Sequence, residues 1–246
     1  RPGPVLVDIP KSIQTDMCDE SEYTCQELFF NALPDADLSA ALDLIKASVR
    51  PLIYSGGGVV SAGASAELLA LAKHISAPVT FSMMGLTALP ADEPLNLGMC
   101  GMHGTESSAK VFSECDLVIA LGVRFSDRAT GNTAKYKEGK KIIHVDIDHA
   151  EINKNTAADV ELCGDGKAVL QLLQELPRLA HPAWEKEWAK AKKLDLHPVS
   201  ETLTPLSLLK TVASYCTPDT VIATDVGQHQ MWTMQYFPFQ QPRTLL

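Results

Sequence analysis

Three consecutive glycines, Gly56, Gly57 and Gly58, close the short apolar run Pro51–Ser55 and open what reads as a helix, with Gly63 beyond them. Such a turn lets backbone N–H groups approach a phosphate closely. The spacing departs from G-x-G-x-x-G, so the turn alone fits a tight strand-to-helix connection without a ligand equally well. Gly101-Met102-His103-Gly104-Thr105 is a second loop that exposes backbone, and "GVRFSDR" sets Arg124 and Arg128 four apart beside Phe125 and Asp127. Two planar guanidinium forks suit a diphosphate or a neighbouring carboxylate, and a surface pair with Asp127 is the plain alternative. In "DIDHAEI", Asp146 and Asp148 follow a strand-like run, where a carboxylate can accept from ribose hydroxyls. Either could instead cap the helix that starts near His149. Together these groups point to a dinucleotide site. His103, a lone histidine in a glycine loop, supports a ligand contact at least as well as proton transfer, and no Ser-His-Asp or Cys-His set can be assembled.

The elements that must carry these groups alternate from Leu38 onward. "LSAALDLIKAS" has helical spacing, "PLIYS" is a short apolar run, Ala66, Leu69, Ala70 and Lys73 continue a helix, and "PVTFS" is strand-like. After a Gly- and Met-rich segment come a short helix at 107–112, the strands "DLVIALG" and "KIIHVDID", and "ADVELCGD" before a helix at 167–176. Runs apolar on both faces suit a parallel sheet covered by helices on each side. The chain is therefore read as a doubly wound, mostly parallel α/β domain over about 30–178. The four strand ends at 55–58, 82–85, 122–128 and 146–148 would meet at one crevice. Upstream, "VLVDIP" reads as a first strand and the polar stretch from Lys11 to Asp37 as a connection. Downstream, "HPAWEKEWAKAKKLDLHP" reads as an interdomain helix and linker, with Trp184 and Trp188 on one face. A second α/β rhythm follows: helix "LTPLSLLKTVASYC", strand "DTVIATDVG", helix "QHQMWTMQYF". "CGDGK" at 163–167 is read as a strand-to-helix turn.

The chain has 246 residues, 46% of them hydrophobic and 21% charged, the composition of an ordinary globular protein. A net charge of -9 argues against a nucleic-acid or anionic-membrane surface. No apolar stretch approaches the roughly 20 residues needed to span a bilayer, and no signal peptide is recognisable, so the expectation is a cytoplasmic protein. Cys18, Cys25, Cys100, Cys115, Cys163 and Cys216 form no C-x-x-C pair, which favours free, mostly buried thiols over zinc or a disulfide framework.

"RPGPVLVDIPKSIQ", "GMCGMHGT", "GVRFSDR", "KIIHVDIDHAEINKN" and "DVGQHQMW", in this order, closely resemble the catalytic (large) subunits of the acetolactate synthases, also called acetohydroxyacid synthases, among the thiamine-diphosphate enzymes. The resemblance covers nearly the whole chain. It implies the tail of a pyrimidine-binding domain at 1–29, a complete central FAD-binding domain of Rossmann-like topology at 30–178, a linker at 179–200, and the start of a second α/β domain, which binds thiamine diphosphate, at 201–246. FAD contacts are implied at Arg1, Gly56, Gly57, Gly58, Met102, His103, Gly104, Arg124, Asp146 and Asp165. Thiamine-diphosphate contacts are implied at Val226, Gly227, Gln228 and His229. Ser126 departs from the family, which commonly has Asp there; that leaves the fine packing near the flavin ring and substrate channel open.

The implied reaction is decarboxylation of pyruvate and ligation of the remainder to a second 2-oxo acid, pyruvate or 2-oxobutyrate, with FAD structural in the net reaction. A homodimer or homotetramer, with a small regulatory subunit in many members, is implied with it. The activating glutamate and the magnesium motif of the family are expected outside residues 1–246, so this polypeptide alone is expected to be inactive, with no catalytic residue and no metal ligand of its own. Two other readings stay open: another thiamine-diphosphate and FAD enzyme, such as a glyoxylate carboligase or a pyruvate oxidase, and a non-catalytic nucleotide-binding module.

Overall fold

The computed structural model describes residues 4–17, 19, 35–196 and 202–246. Its elements are α1 (Asp35–Ala47), β1 (Pro51–Ser55), α2 (Gly57–Ser61), α3 (Ser65–His74), β2 (Val79–Phe81), β3 (Asn96–Met99), α4 (Glu106–Glu114), β4 (Leu117–Leu121), α5 (Asp127–Thr130), α6 (Thr133–Lys137), β5 (Lys141–Asp146), β6 (Val160–Cys163), α7 (Gly166–Leu173), α8 (Pro182–Ala191), α9 (Pro205–Ser214) and α10 (Gln228–Tyr236). The six strands form one parallel sheet in the order β3-β2-β1-β4-β5-β6. Strand order reverses between β1 and β4, which pair in register from Pro51 with Leu117 to Ser55 with Leu121. In doubly wound sheets the ligand crevice opens at that reversal, outside the carboxyl ends of the strands.

Every residue of β1 and β4 is buried, because helices cover both faces. Ile53, Leu117, Ile119, Leu121, Ile143 and Val145 meet Ala41 and Ile45 of α1, Leu68 and Leu71 of α3, and Leu170 and Leu173 of α7. Leu52, Tyr54, Val118, Ala120 and Ile142 face the other way, toward Val111 of α4, Tyr136 of α6 and Trp184 of α8. Each such aliphatic side chain contributes about 1.5–3 kcal/mol by leaving water.

Two expected strands do not form. Residues 4–10 have no regular structure, and Val5, Leu6 and Val7 are exposed; no described strand lies beside them to complete a ladder. "DTVIATDVG" is reduced to a single parallel bridge between Ile222 and Leu245, since the neighbour it finds is the short stretch Thr244–Leu246. Conversely, β3 lay unseen within the Gly- and Met-rich segment.

The charged stretch read as an interdomain helix and linker forms the helix α8, which packs as a layer of this domain. α8 lies against α4, and buried Trp184 donates its Nε1–H to the Pro51 carbonyl at 2.9 Å, at the very start of β1. Met234, Phe239 and Leu245 from the last segment join the core near Leu86 and Leu89. Among the described residues no helix is long and apolar enough to cross a membrane.

Trp184→Ala should therefore destabilise the protein by about 3–5 kcal/mol, measured by urea denaturation. A loss below about 1 kcal/mol would show that α8 is only loosely attached.

Candidate functional site

The glycine turn lies against the loop after β4. A β-carbon on Gly56 would sit 2.1 Å from the Gly122 carbonyl oxygen, one on Gly58 2.7 Å from the Gly122 Cα, and one on Gly122 2.6 Å from the Gly58 Cα. No side chain fits at any of the three. The Gly56 N–H donates to the Leu121 carbonyl at 2.8 Å, and the Gly58 N–H to the Gly122 carbonyl at 3.3 Å. Gly122 also has φ 59°, the left-handed region that favours glycine. Packing thus accounts for Gly56 and Gly58, and the turn forms the floor of the crevice between β1 and β4.

The other loops are tied to this floor. Gly122 donates its N–H to the Val145 carbonyl at 2.8 Å, Met102 to the Arg128 carbonyl at 2.9 Å, and Gly164 to the Asp146 carbonyl at 3.0 Å. The Asn155 side chain donates to the Arg124 carbonyl at 2.8 Å. The segments after β1, β3, β4, β5 and β6 therefore form one connected rim. Met83, Met84, Met102 and Ile147, each just past a strand end, expose apolar side chains there. Arg124 is exposed as well. Arg128 lies 4.0 Å from the Asp127 carboxylate, both side chains largely in solvent, a pairing that contributes little.

Phe125 holds the arginine loop. Its φ of 48° is an outlier for a bulky residue, yet its ring is buried edge-on against His144, Tyr54 and Tyr136 at centroid distances of 4.9, 6.0 and 5.9 Å. Driving the ring into this compartment turns its neighbour Arg124 outward. Buried His144 donates from Nε2 to the Val123 carbonyl at 3.0 Å, and its Nδ1 finds no partner. Burial lowers its pKa, so the ring is kept neutral. Burial also pushes the Cys100 thiol up to about 11 and the Cys115 thiol up to about 12, and raises the Tyr54 and Tyr136 phenols. None of these groups is primed as a nucleophile.

Asp146, buried at the end of β5, accepts from the Asp148 N–H at 2.9 Å. Asp148 accepts from Ala150 at 3.0 Å, the helix-cap role that its position also allowed. Asp165 caps α7, with one carboxylate oxygen accepting from Lys167 and Ala168 at 3.0 Å each, so "CGDGK" is the turn between β6 and α7. His103 and Gly104 sit in the loop after β3, where the Gly104 N–H donates to the Gly101 carbonyl. Val226, Gln228 and His229 are exposed around Gly227, the residue that opens α10. Gln235, farther along α10, links their helix to the rim: its side chain donates to the His103 carbonyl at 3.0 Å. Arg1 lies outside the described residues. Gly122 and Phe125 fall within the strand end at 122–128 that the sequence placed at the crevice, without their packing roles; Asn155 was not singled out. The glycine that ends "DLVIALG" was the available signal; a left-handed phenylalanine leaves none.

The family described as "thiamine pyrophosphate enzyme, central domain" matches residues 38–173. The probable acetolactate synthase large subunit of Methanocaldococcus jannaschii is 39% identical over 268 residues, covering 100% of this chain and 45% of the relative. The acetolactate synthase isozyme 1 large subunit of Escherichia coli is 38% identical, covering 100% of this chain and 44% of its own length. A chloroplastic acetolactate synthase of Oryza sativa subsp. japonica is 38% identical, covering 100% of this chain and 40% of its own. The chain thus spans less than half the length of these relatives.

The buried His144 makes stability depend on pH with a defined sign. Its folded pKa lies below its ordinary 6.5, so below about pH 6.5 the unfolded chain takes up a proton that the folded chain refuses. This contribution is complete above about pH 6.5 and is lost as the pH falls toward the folded value. The urea midpoint should drop between about pH 7.5 and 5.5, and drop less in His144→Gln, whose amide can still donate to Val123. An equal drop in both proteins would remove His144 as the cause.

Proposed function

The chain belongs to the thiamine pyrophosphate enzymes through their central domain, and from that premise we propose that it is part of an acetolactate synthase large subunit whose crevice between β1 and β4 holds FAD. The observation that carries this reading is the single rim formed by five strand ends around the Gly56–Gly122 floor. An extended dinucleotide needs such a trough, and the groups along it fit one. Backbone glycines allow close approach, the exposed Arg124 offers a guanidinium to a diphosphate, and the thioethers of Met83, Met84 and Met102 suit a flat aromatic ring. Asp146 stands where a ribose hydroxyl would arrive. Gly56, Gly57, Gly58, His103, Gly104 and Asp165 serve this trough as floor, wall and helix cap. Arg1 is assigned to it from the resemblance alone.

Thiamine diphosphate, bound with Mg2+ by the whole enzyme, supplies the carbanion chemistry that decarboxylates pyruvate and joins the remainder to pyruvate or 2-oxobutyrate. Val226, Gly227, Gln228 and His229 are this chain's contribution to holding it. The exposed loop before α10 leaves them free to meet a ligand. The central domain's own task is positional: it holds the α2 turn after β1 and the loop after β3 against the segment that carries these residues. A dimer or tetramer, with a small regulatory subunit, completes the proposal.

The intact polypeptide that carries this chain, supplied with thiamine diphosphate, Mg2+, FAD and pyruvate, should form acetolactate. Tartronate semialdehyde from glyoxylate, or peroxide from pyruvate, would move the protein to a different enzyme of the family. Arg124→Ala should weaken FAD binding roughly tenfold, the equivalent of about 1.4 kcal/mol, with the fold unchanged by circular dichroism. Undiminished affinity would remove Arg124 from the flavin site.

A further inference from the structure

Two side chains from the last segment reach back to two of the loops assigned to FAD. The Arg243 guanidinium donates from Nη2 to the carbonyls of Val60 at 3.4 Å and Ser61 at 3.2 Å, the last residues of α2. Its backbone N–H donates to the Thr87 hydroxyl at 3.2 Å. Arg243 has φ 65°, a conformation that a β-carbon disfavours and that its surroundings must hold. They do so: the buried Thr244 hydroxyl donates to the Gln241 carbonyl at 2.7 Å, and the Leu246 N–H to the Ile222 carbonyl at 2.9 Å. Farther along the seam, Gln235 reaches the His103 carbonyl, and the Ala91 N–H donates to the Phe239 carbonyl at 2.8 Å.

We propose that Arg243 and Gln235 are positioning residues through which the segment bearing Val226–His229 sets the geometry of the glycine turn and of the Gly101–Thr105 loop. α2 has five residues, too few to hold a helical conformation by itself. Its terminal carbonyls lack partners within the helix. The Val60 carbonyl also accepts from the Gly63 N–H at 3.2 Å, so the guanidinium is a second donor to Val60 and the donor to Ser61, and it matches the negative end of the helix dipole. Gly57 and Gly58 form the first turn of the same short helix, so its tilt is the tilt of the crevice floor. Gln235 does the equivalent for the loop after β3, fixing the carbonyl between Met102 and Gly104. The apolar contacts of Met234, Phe239 and Leu245 with the main core keep both struts at constant length. Neither residue is among those assigned to a cofactor.

The consequence for FAD rests on the flavin reading of the crevice; the mechanical coupling does not. Amide hydrogen exchange on the intact polypeptide without flavin tests the coupling. Arg243→Ala should speed exchange at Ala62, Gly63 and Ala64 about tenfold and leave 101–105 unchanged, with Arg243→Lys restoring part of the protection. Gln235→Ala should do the converse. Unchanged rates, or an equal acceleration throughout the sheet, would overturn the proposal, the second by reducing both side chains to general stabilisers. A parallel flavin titration of Arg243→Ala should show affinity about tenfold weaker. If the unsubstituted protein binds no flavin, the reading of the crevice falls, and the exchange pattern still decides the struts.

Discussion

The contact on which the rest of the structure depends is the approach of two backbones at Gly56–Gly58 and Gly122. Parallel strands bring their carboxyl ends to one edge of a sheet, yet the loops that leave those ends normally stand apart by the width of their side chains. Here the β1 and β4 loops touch without intervening side chains, at distances where a methyl group could not be placed. The Gly122 N–H then reaches β5, and the next hydrogen bonds reach the loop after β6. The crevice is rigid because its floor is a backbone-to-backbone contact.

That rigidity has a counterpart in the aromatic compartment beneath the arginine loop. Phe125 is held in a costly backbone conformation by the rings of His144, Tyr54 and Tyr136. Strain of this kind persists where surrounding structure over-determines it, and such places cluster at ligand sites. The buried His144, Tyr54 and Tyr136 near it are kept neutral by burial, so the loop presents shape, backbone and the exposed guanidiniums of Arg124 and Arg128 rather than an acid–base pair. A domain that binds a cofactor for position needs those features and little else.

Much of the scaffold was legible because β1, β4 and β5 are buried on both faces and read as unbroken apolar runs between helical spacings. "PLIYS", "LVIAL" and "KIIHVD" declared themselves in this way. β3 did not: Asn96-Leu97-Gly98-Met99 has a glycine at its centre and turn-forming residues around it, and it becomes a strand only because β2 offers a ladder. Val5–Pro10 and 219–227 failed in the opposite sense, having the side chains of strands with no described neighbour for the first and only the short stretch Thr244–Leu246 for the second. α8 was legible as a helix from its Trp184–Trp188 spacing, but its packing against the sheet, through Trp184, Trp188 and Ala191, was not. At the site, glycines and arginines could be found as residue types. Their use could not, because whether a glycine faces a phosphate or another backbone depends on partners distant in sequence, as Gly56 and Gly122 show.

The central claim is that this rim, and no other surface of the chain, receives a flavin dinucleotide. Amide exchange of the unsubstituted protein with and without saturating FAD tests it most directly. The account predicts protection confined to 56–62, 101–105, 122–128 and 146–148, with the far edge of the sheet unaffected. Protection centred elsewhere, such as along the seam with α9 and α10, or no protection at all, would contradict it.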